Sequence, residues 1–327
     1  MNRQFLSSVK TTLYRKPKEE LQRLYRWGPH AYFNIDKWKR EMEASAWKLQ
    51  LLKSSDKALP PPVSVWFLTG KKFWYQTAFC AWTFAKQSGR EVILNLVDDG
   101  TLLAEHEYEL RRLFPEGITL RKDAVRDRTE TLLPIDQFPT LRQRWNDYIH
   151  IRKLTDIHLD STGTKLVLDS DMLFFRRPDA LLNWWDESQQ SVDLNSQPST
   201  SLCLMTDCHE SYGYSRELME ELSGAPIPPL LNVGICGLSS DMIDWEQLEY
   251  WCRTLLEREG TSYYLEQALV AMLASQSTPV VMPKEDYITF PSRQEIACPS
   301  AVLQHYVADS KPGYFGSAWK HTLAQHS

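Results

Sequence analysis

Lys165-Leu166-Val167-Leu168-Asp169-Ser170-Asp171-Met172-Leu173-Phe174-Phe175 is the stretch whose reading decides the fold. Its first apolar run has strand length, and two acids one residue apart follow directly. In open α/β sheets the loops converge beyond the carboxyl ends of strands, so acids placed there surround one small volume. Their mutual repulsion is relieved by a hard divalent cation. A solvated turn is the bland reading of Asp-x-Asp. The apolar runs on both sides weigh against it, because uncompensated carboxylates at a buried edge are costly.

Working outward, Val63 to Leu68 and Val92 to Val97 are further strand-length runs, with helical spacing over Phe73 to Gln87 between them. Leu141, Trp145, Tyr148, Ile151, Leu154 and Ile157 predict one continuous helix leading into the acidic strand. Downstream, Leu231 to Leu238 and Pro279 to Met282 read as buried strands, with helices at about 241–258 and 262–275 between them. This alternation predicts an α/β fold with a mostly parallel sheet flanked by helices. Before it, apolar residues recur at helical spacing from Ile35 to Leu52, with Asn34 as the expected N-cap and Pro60-Pro61-Pro62 as the stop. The expected organisation is a helical extension over residues 1–60 and one α/β domain over residues 61–327.

The extension holds 13 Lys or Arg against 6 Asp or Glu, so the rest of the chain is acidic. A basic, Trp-bearing helix suits either packing on the domain or peripheral contact with an anionic membrane surface. At 327 residues with 43% hydrophobic and 24% charged residues the chain has the makings of a globular protein with a sizeable core. A net charge of −5 gives no footprint for nucleic acid. No apolar run approaches the ~18 residues that cross a bilayer, and Met1-Asn2-Arg3-Gln4 lacks the basic-then-apolar order of a secretory signal. A cytoplasmic protein is expected, at the inner face of a membrane if the extension binds lipid. The six cysteines show no disulfide-framework spacing, and Cys203, Cys208 and His209 make only a weak zinc pattern, so structural thiols are expected.

The acidic segment, with Arg177-Pro178 after it, resembles the Asp-x-Asp segment of GT-A glycosyltransferases, and particularly of the glycogenin-like family 8 enzymes. Three further segments carry the resemblance in the same order: Leu231-Asn232-Val233-Gly234-Ile235, Glu266-Gln267, and His305 with Lys311-Pro312 six residues on. Together they cover about residues 63–315. The resemblance implies a GT-A (Rossmann-like) fold and transfer of a sugar from a nucleotide-diphosphate donor to an acceptor it does not identify. It implies Mn2+ or Mg2+ held by Asp169, Asp171 and His305, with Ser170, Lys311 and either Arg152 or Lys153 toward the donor. Glu266, Gln267 and Asn232 would stand around the sugar.

Val97-Asp98-Asp99-Gly100-Thr101 is similar to a turn of family 2 GT-A enzymes, in which Asp99 would accept the imide proton of uracil and favour a UDP-sugar. A plain Asp-Gly turn is its alternative reading. Thr69-Gly70-Lys71 would line the same nucleotide pocket. The closing motif favours retention of configuration, although the Asp-Asp-Gly turn hints at inversion. The sequence departs from the family 8 pattern at Ala308, where glycine is usual, and at Gly313, where an aromatic residue often stands. Trp184-Trp185 and the polar segment 186–201 after it are a candidate acceptor platform. Two rival classes remain: a non-catalytic carbohydrate-binding or scaffold protein with the same fold, and a sugar-nucleotide pyrophosphorylase, whose Gly-rich loop Thr69-Gly70-Lys71-Lys72 does not match.

Overall fold

A computed structural model of the chain describes residues 16–51, 60–190 and 202–326. Among the described residues ten strands alternate with helices. The strands are β1 (Val63–Thr69), β2 (Val92–Asp98), β3 (Thr119–Leu120), β4 (Thr164–Leu168), β5 (Met172–Phe174), β6 (Cys203–Thr206), β7 (Leu231–Ser239), β8 (Val280–Val281), β9 (Tyr287–Thr289) and β10 (Leu303–His305). The helices used below are α1 (Lys16–Trp27), α2 (Pro29–Ala46), α3 (Trp74–Ser88), α4 (Pro139–Asp147), α5 (Arg152–His158), α6 (Asp179–Gln190), α7 (Trp245–Glu259) and α8 (Leu265–Ser275).

Seven strands form one mostly parallel sheet in the order β3-β2-β1-β4-β7-β6-β8, and β5-β10-β9 form a smaller one. β4 and β7 are antiparallel neighbours at the centre. Each face of the large sheet carries its own apolar layer. One gathers Trp74, Phe79, Phe84 and Phe174 under α3, and the other gathers Trp145, Leu154, Trp251 and Leu269 under α4, α5, α7 and α8. β7 is buried along its whole length, as a central strand covered on both faces should be.

Several expectations need correction. Asn34 is not the cap of α2: the helix starts at Pro29 after Gly28, whose φ is 78°, and the Asn34 amide donates to the His30 carbonyl. Proline preset for the first turn and a glycine before it outrank the later start of the apolar repeat. The helix expected through 141–157 is split, because Tyr148 is extended at φ −134° and a short turn at Ile149–Ile151 precedes α5. Tyr148 is tied elsewhere: its hydroxyl donates to the Tyr263 carbonyl (2.5 Å) and accepts from the Glu266 amide (3.3 Å). Tertiary bonds override periodicity here. β8 is an edge strand with Val280 and Val281 37% and 41% exposed, not a buried one. Trp184 and Trp185 lie in the core rather than on an acceptor platform, and residues 191–201 lie outside the described residues.

The described part of the extension packs on the α/β unit. Ile35, Met42, Ala46 and Leu49 join the same apolar layer as α3, and each of the larger side chains contributes roughly 1.5–3 kcal/mol through burial. Trp74 Nε1 donates to Glu43 and Trp82 Nε1 to the Gln50 carbonyl. Among the described residues no helix is long and apolar enough to cross a membrane.

His158, at the far end of α5 from the strand termini, sets an acid limit on stability. It is 2% exposed and its Nδ1 lies 3.0 Å from Ser240 Oγ. Burial, reinforced by the charge of Lys165, pushes its imidazole down to about 3 from 6.5. The folded chain therefore takes up this proton less readily than the unfolded chain. The associated stability is complete above about pH 6.5 and is lost as pH falls toward 3, at up to about 1.4 kcal/mol per pH unit. His158→Gln is expected to flatten the urea midpoint over that window. An acid limb identical to wild type would remove His158 as its source.

Candidate active site

Asp169 stands where β4 ends, held by its amide, which donates to the Gly234 carbonyl of β7 (2.8 Å). The chain turns through Ser170 and Asp171, and β5 begins at the next residue. β10 runs antiparallel to β5 with His305 opposite Met172, and the Tyr306 amide donates to the Asp171 carbonyl (2.9 Å). This register delivers an imidazole from the end of the chain to two acids in its middle. His305 Nε2 lies 3.7 Å from Asp169 Oδ2 and 3.3 Å from Asp171 Oδ1. One ligand atom from each residue lies within 4.8 Å of the others, and among the described residues this is the one such group of His, Cys, Asp or Glu. Cys203 is buried on β6 and Cys208 is exposed, so the sequence-level zinc pattern is not assembled.

Two carboxylates and an imidazole facing one another are a donor set that fits a divalent cation. His305 is 3% exposed, and its Nδ1 is buried without a hydrogen-bond partner among the described residues. The ring edge that carries Cε1 and Nδ1 lies close against Gly234: a Cβ there would stand 2.6 Å from each of those atoms. Glycine at 234 is thus a requirement of the imidazole's place. Gly234→Ala is expected to push the ring aside and to weaken manganese binding about tenfold or more, comparable with losing a group that orients a ligand. Manganese titration calorimetry reads this, and wild-type affinity would disprove the packing argument.

Two lysines reach the acids. Lys153, on the first turn of α5, lies 2.7 Å from Asp169 Oδ1 and 3.4 Å from Glu266 Oε2. Burial would lower its ammonium, but Asp169 and Glu266 outweigh burial and hold it above the usual lysine range. Burial lifts Glu266 to about 7 even against Lys153. Lys311 hydrogen-bonds Asp171. Although burial opposes it, the charges of Lys311 and His305 keep the Asp171 carboxyl well below the usual range. Arg152 is not part of this group: its Nε donates to Asp156 (2.5 Å), its guanidinium stacks over Trp145, and it is fully buried. Of the two basic residues the sequence left open, Lys153 is the one beside the acids.

Asn232 and Gln267 meet at a residue that the sequence reading passed over. Asn232 Nδ2 donates to Asp207 Oδ2 (3.0 Å), and Gln267 Nε2 stands 3.5 Å from the same oxygen and donates to the Ser211 carbonyl (3.0 Å). Asp207 directly follows β6. The signal that found Asp169 was a pair of acids after a predicted strand; Asp207 stands alone after a strand, β6, that the sequence did not announce.

The residues expected to line a nucleotide pocket follow β1 and β2. The Thr69 hydroxyl is buried and bonded to Thr77 Oγ1 (2.8 Å), which in turn bonds Ser170 Oγ (2.8 Å). Thr69 and Ser170 are thereby linked through Thr77, a helix residue without a sequence signal. Asp99 Oδ1 accepts from the Thr101 amide (2.8 Å) and hydroxyl (2.5 Å). Its carboxylate covers Gly70, where a Cβ would lie 2.0 Å from Asp99 Oδ1. Ala308 adopts φ 43° in the closing motif. That left-handed conformation is natural for glycine and costs an L-residue about 1–2 kcal/mol.

The sequence matches no protein-family model and no curated protein. Among solved structures, apo mouse xyloside xylosyltransferase 1 matches with a TM-score of 0.50 at 12% identity, over 77% of this chain and 99% of that one. Galactosyltransferase LgtC, solved with donor and acceptor sugar analogues, gives 0.49 at 12% identity over 80% and 96%. The bifunctional glycosyltransferase WbbM gives 0.47 at 10% identity over 85% of this chain and 53% of that one. The chain therefore has the GT-A fold, a mixed α/β architecture around a mostly parallel seven-stranded sheet.

Proposed function

We propose that this chain is a glycosyltransferase that moves a sugar from a nucleotide-diphosphate donor, a UDP-sugar, to an acceptor with retention of configuration. The observation that carries the reading is the convergence of Asp169, Asp171 and His305 from separate strands within 4.8 Å. These three residues would hold Mn2+ or Mg2+, which when bound offsets the negative charge that develops on the departing diphosphate.

The chain's own groups divide the remaining work. Lys311 adds a positive charge beside the diphosphate once its partner Asp171 is otherwise neutralised. Lys153 fixes the orientation of Asp169 and Glu266. Asn232, Gln267 and Glu266 contact the sugar, with Asp207 orienting both amides. Asp99 has one carboxylate oxygen committed to Thr101, and its other oxygen accepts the uracil imide proton. In transfer the acceptor oxygen forms the new bond to the anomeric carbon as the bond to phosphate breaks. The departing phosphate oxygen takes the acceptor's proton, so no strong protein base is needed.

The test is nucleotide release from a panel of UDP-, GDP- and CDP-sugars with manganese, magnesium or EDTA. Release from a UDP-sugar that EDTA abolishes is the expected result. Release indifferent to EDTA would remove the metal assignment, and failure with every donor would favour a scaffold that kept only the fold.

A further inference from the structure

Four aromatic rings run in an unbroken row beside the acidic cluster, and no step above uses them. Tyr148 and His150 have ring centroids 5.4 Å apart, His150 and Tyr263 5.1 Å, and Tyr263 and Tyr264 5.3 Å. Tyr263 and Tyr264 immediately precede α8, the helix that carries Glu266 and Gln267, yet they are 68% and 41% exposed. Large rings left open together beside a charged cluster mark a contact surface.

Their placement is rigid. The Tyr148 hydroxyl donates to the Tyr263 carbonyl and accepts from the Glu266 amide, so one side chain pins the backbone under both the ring row and the acid. Such preorganisation lowers the entropy lost when a ligand docks. The row also lies within electrostatic reach of the acids. Desolvation raises the Tyr263 phenol, and the charge of Asp169 adds to it; desolvation lowers the His150 imidazole, with Lys153, Asp169 and Asp171 also acting on it.

The topology sets the Tyr263 and Tyr264 end of this row apart from the turn assigned to the base. Asp99 follows β2, whereas α8 packs on β7, and β1 and β4 lie between those strands. A ligand on Tyr263 and Tyr264 would thus meet the cluster from the β7 side, whereas the turn assigned to the base follows β2. Tyrosine offers a flat apolar face and a polar rim, which match a pyranose with a C–H face and an edge of hydroxyls.

We infer that this row is the acceptor subsite, that it binds a carbohydrate, and that the Tyr263 ring stacks on the sugar face next to the transfer point. The inference rests on the transferase reading for its name but not for its test, which reads binding directly. Methyl α- and β-glycosides of glucose, galactose, mannose and xylose are offered to the full chain in saturation-transfer NMR. In parallel, UDP affinity is measured by calorimetry with manganese present.

Wild type is expected to pass saturation to the ring C–H protons of at least one glycoside. Tyr263→Ala is expected to lower that signal about five- to tenfold, whereas Tyr263→Phe keeps it. UDP affinity stays within about twofold in all three proteins, since the ring lies apart from the turn assigned to the base. No saturation of any glycoside by wild type, or an undiminished signal in Tyr263→Ala, overturns the inference. A parallel fall in UDP affinity does so too, by assigning the ring to the base. Glycoside binding that depends on Tyr263 without any UDP binding would instead sink the donor reading and leave the carbohydrate subsite standing.

Discussion

Asp171→Ala is expected to lower metal-dependent nucleotide release about 10³-fold, because losing one of two carboxylate ligands removes several kcal/mol of charge stabilisation. The fall should appear mainly in kcat, with manganese affinity reduced in parallel. Folding should change far less. Asp171 is 21% exposed, and its loss leaves Lys311 free to reach water, so about 1 kcal/mol is the expected penalty in urea. Asp171→Asn keeps the shape without the charge and should behave like the alanine variant. If either protein retained wild-type manganese dependence, Asp171 would not be a ligand.

Lys153→Ala is expected to have the largest effect on stability. Its side chain is 8% exposed and its ammonium stands between Asp169 and Glu266, the second of which has a side chain 7% exposed. Removing the cation from such a group leaves carboxylates facing each other in a poorly solvated space, at about 3–5 kcal/mol. Glu266, already lifted to about 7 by burial, would take up a proton more readily in the variant and limit the loss at acidic pH. Saturating manganese should recover part of the loss by neutralising Asp169, since an ion bound only to the native state stabilises it by mass action. Urea midpoints with and without manganese check both statements. A loss below about 1 kcal/mol would mean that Lys153 is not the counter-ion of this pair.

The strands next to the site were legible because they are central and buried. β1, β2, β4 and β7 fall within one residue of the apolar runs that predict them, since a strand covered on both faces must be apolar along its length. The acids at the end of β4 and His305 were also visible, and their convergence was expected through the family resemblance alone, because the pairing of β10 with β5 that produces it spans some 130 residues and leaves no local pattern. Asp207 and Thr77 escaped because a lone acid or a helix threonine carries no pattern until the strand ends are brought together. Arg152 and Lys153 differ only by a helical rotation of one residue, and periodicity over a broken helix could not choose between them. The split at Tyr148 has the same origin, a hydroxyl whose partners lie more than 100 residues away.

Trp27, the last residue of α1, donates through Nε1 to Asp309 Oδ1 (3.0 Å), and Arg26 pairs with the same carboxylate (3.4 Å). Asp309 lies between the strained Ala308 and Lys311. The end of α1 therefore acts as a splint on the segment that carries Lys311, the partner of Asp171. Variation at the front of the chain has a route to chemistry near its end, so Trp27 and Lys311 are expected to tolerate change together rather than apart.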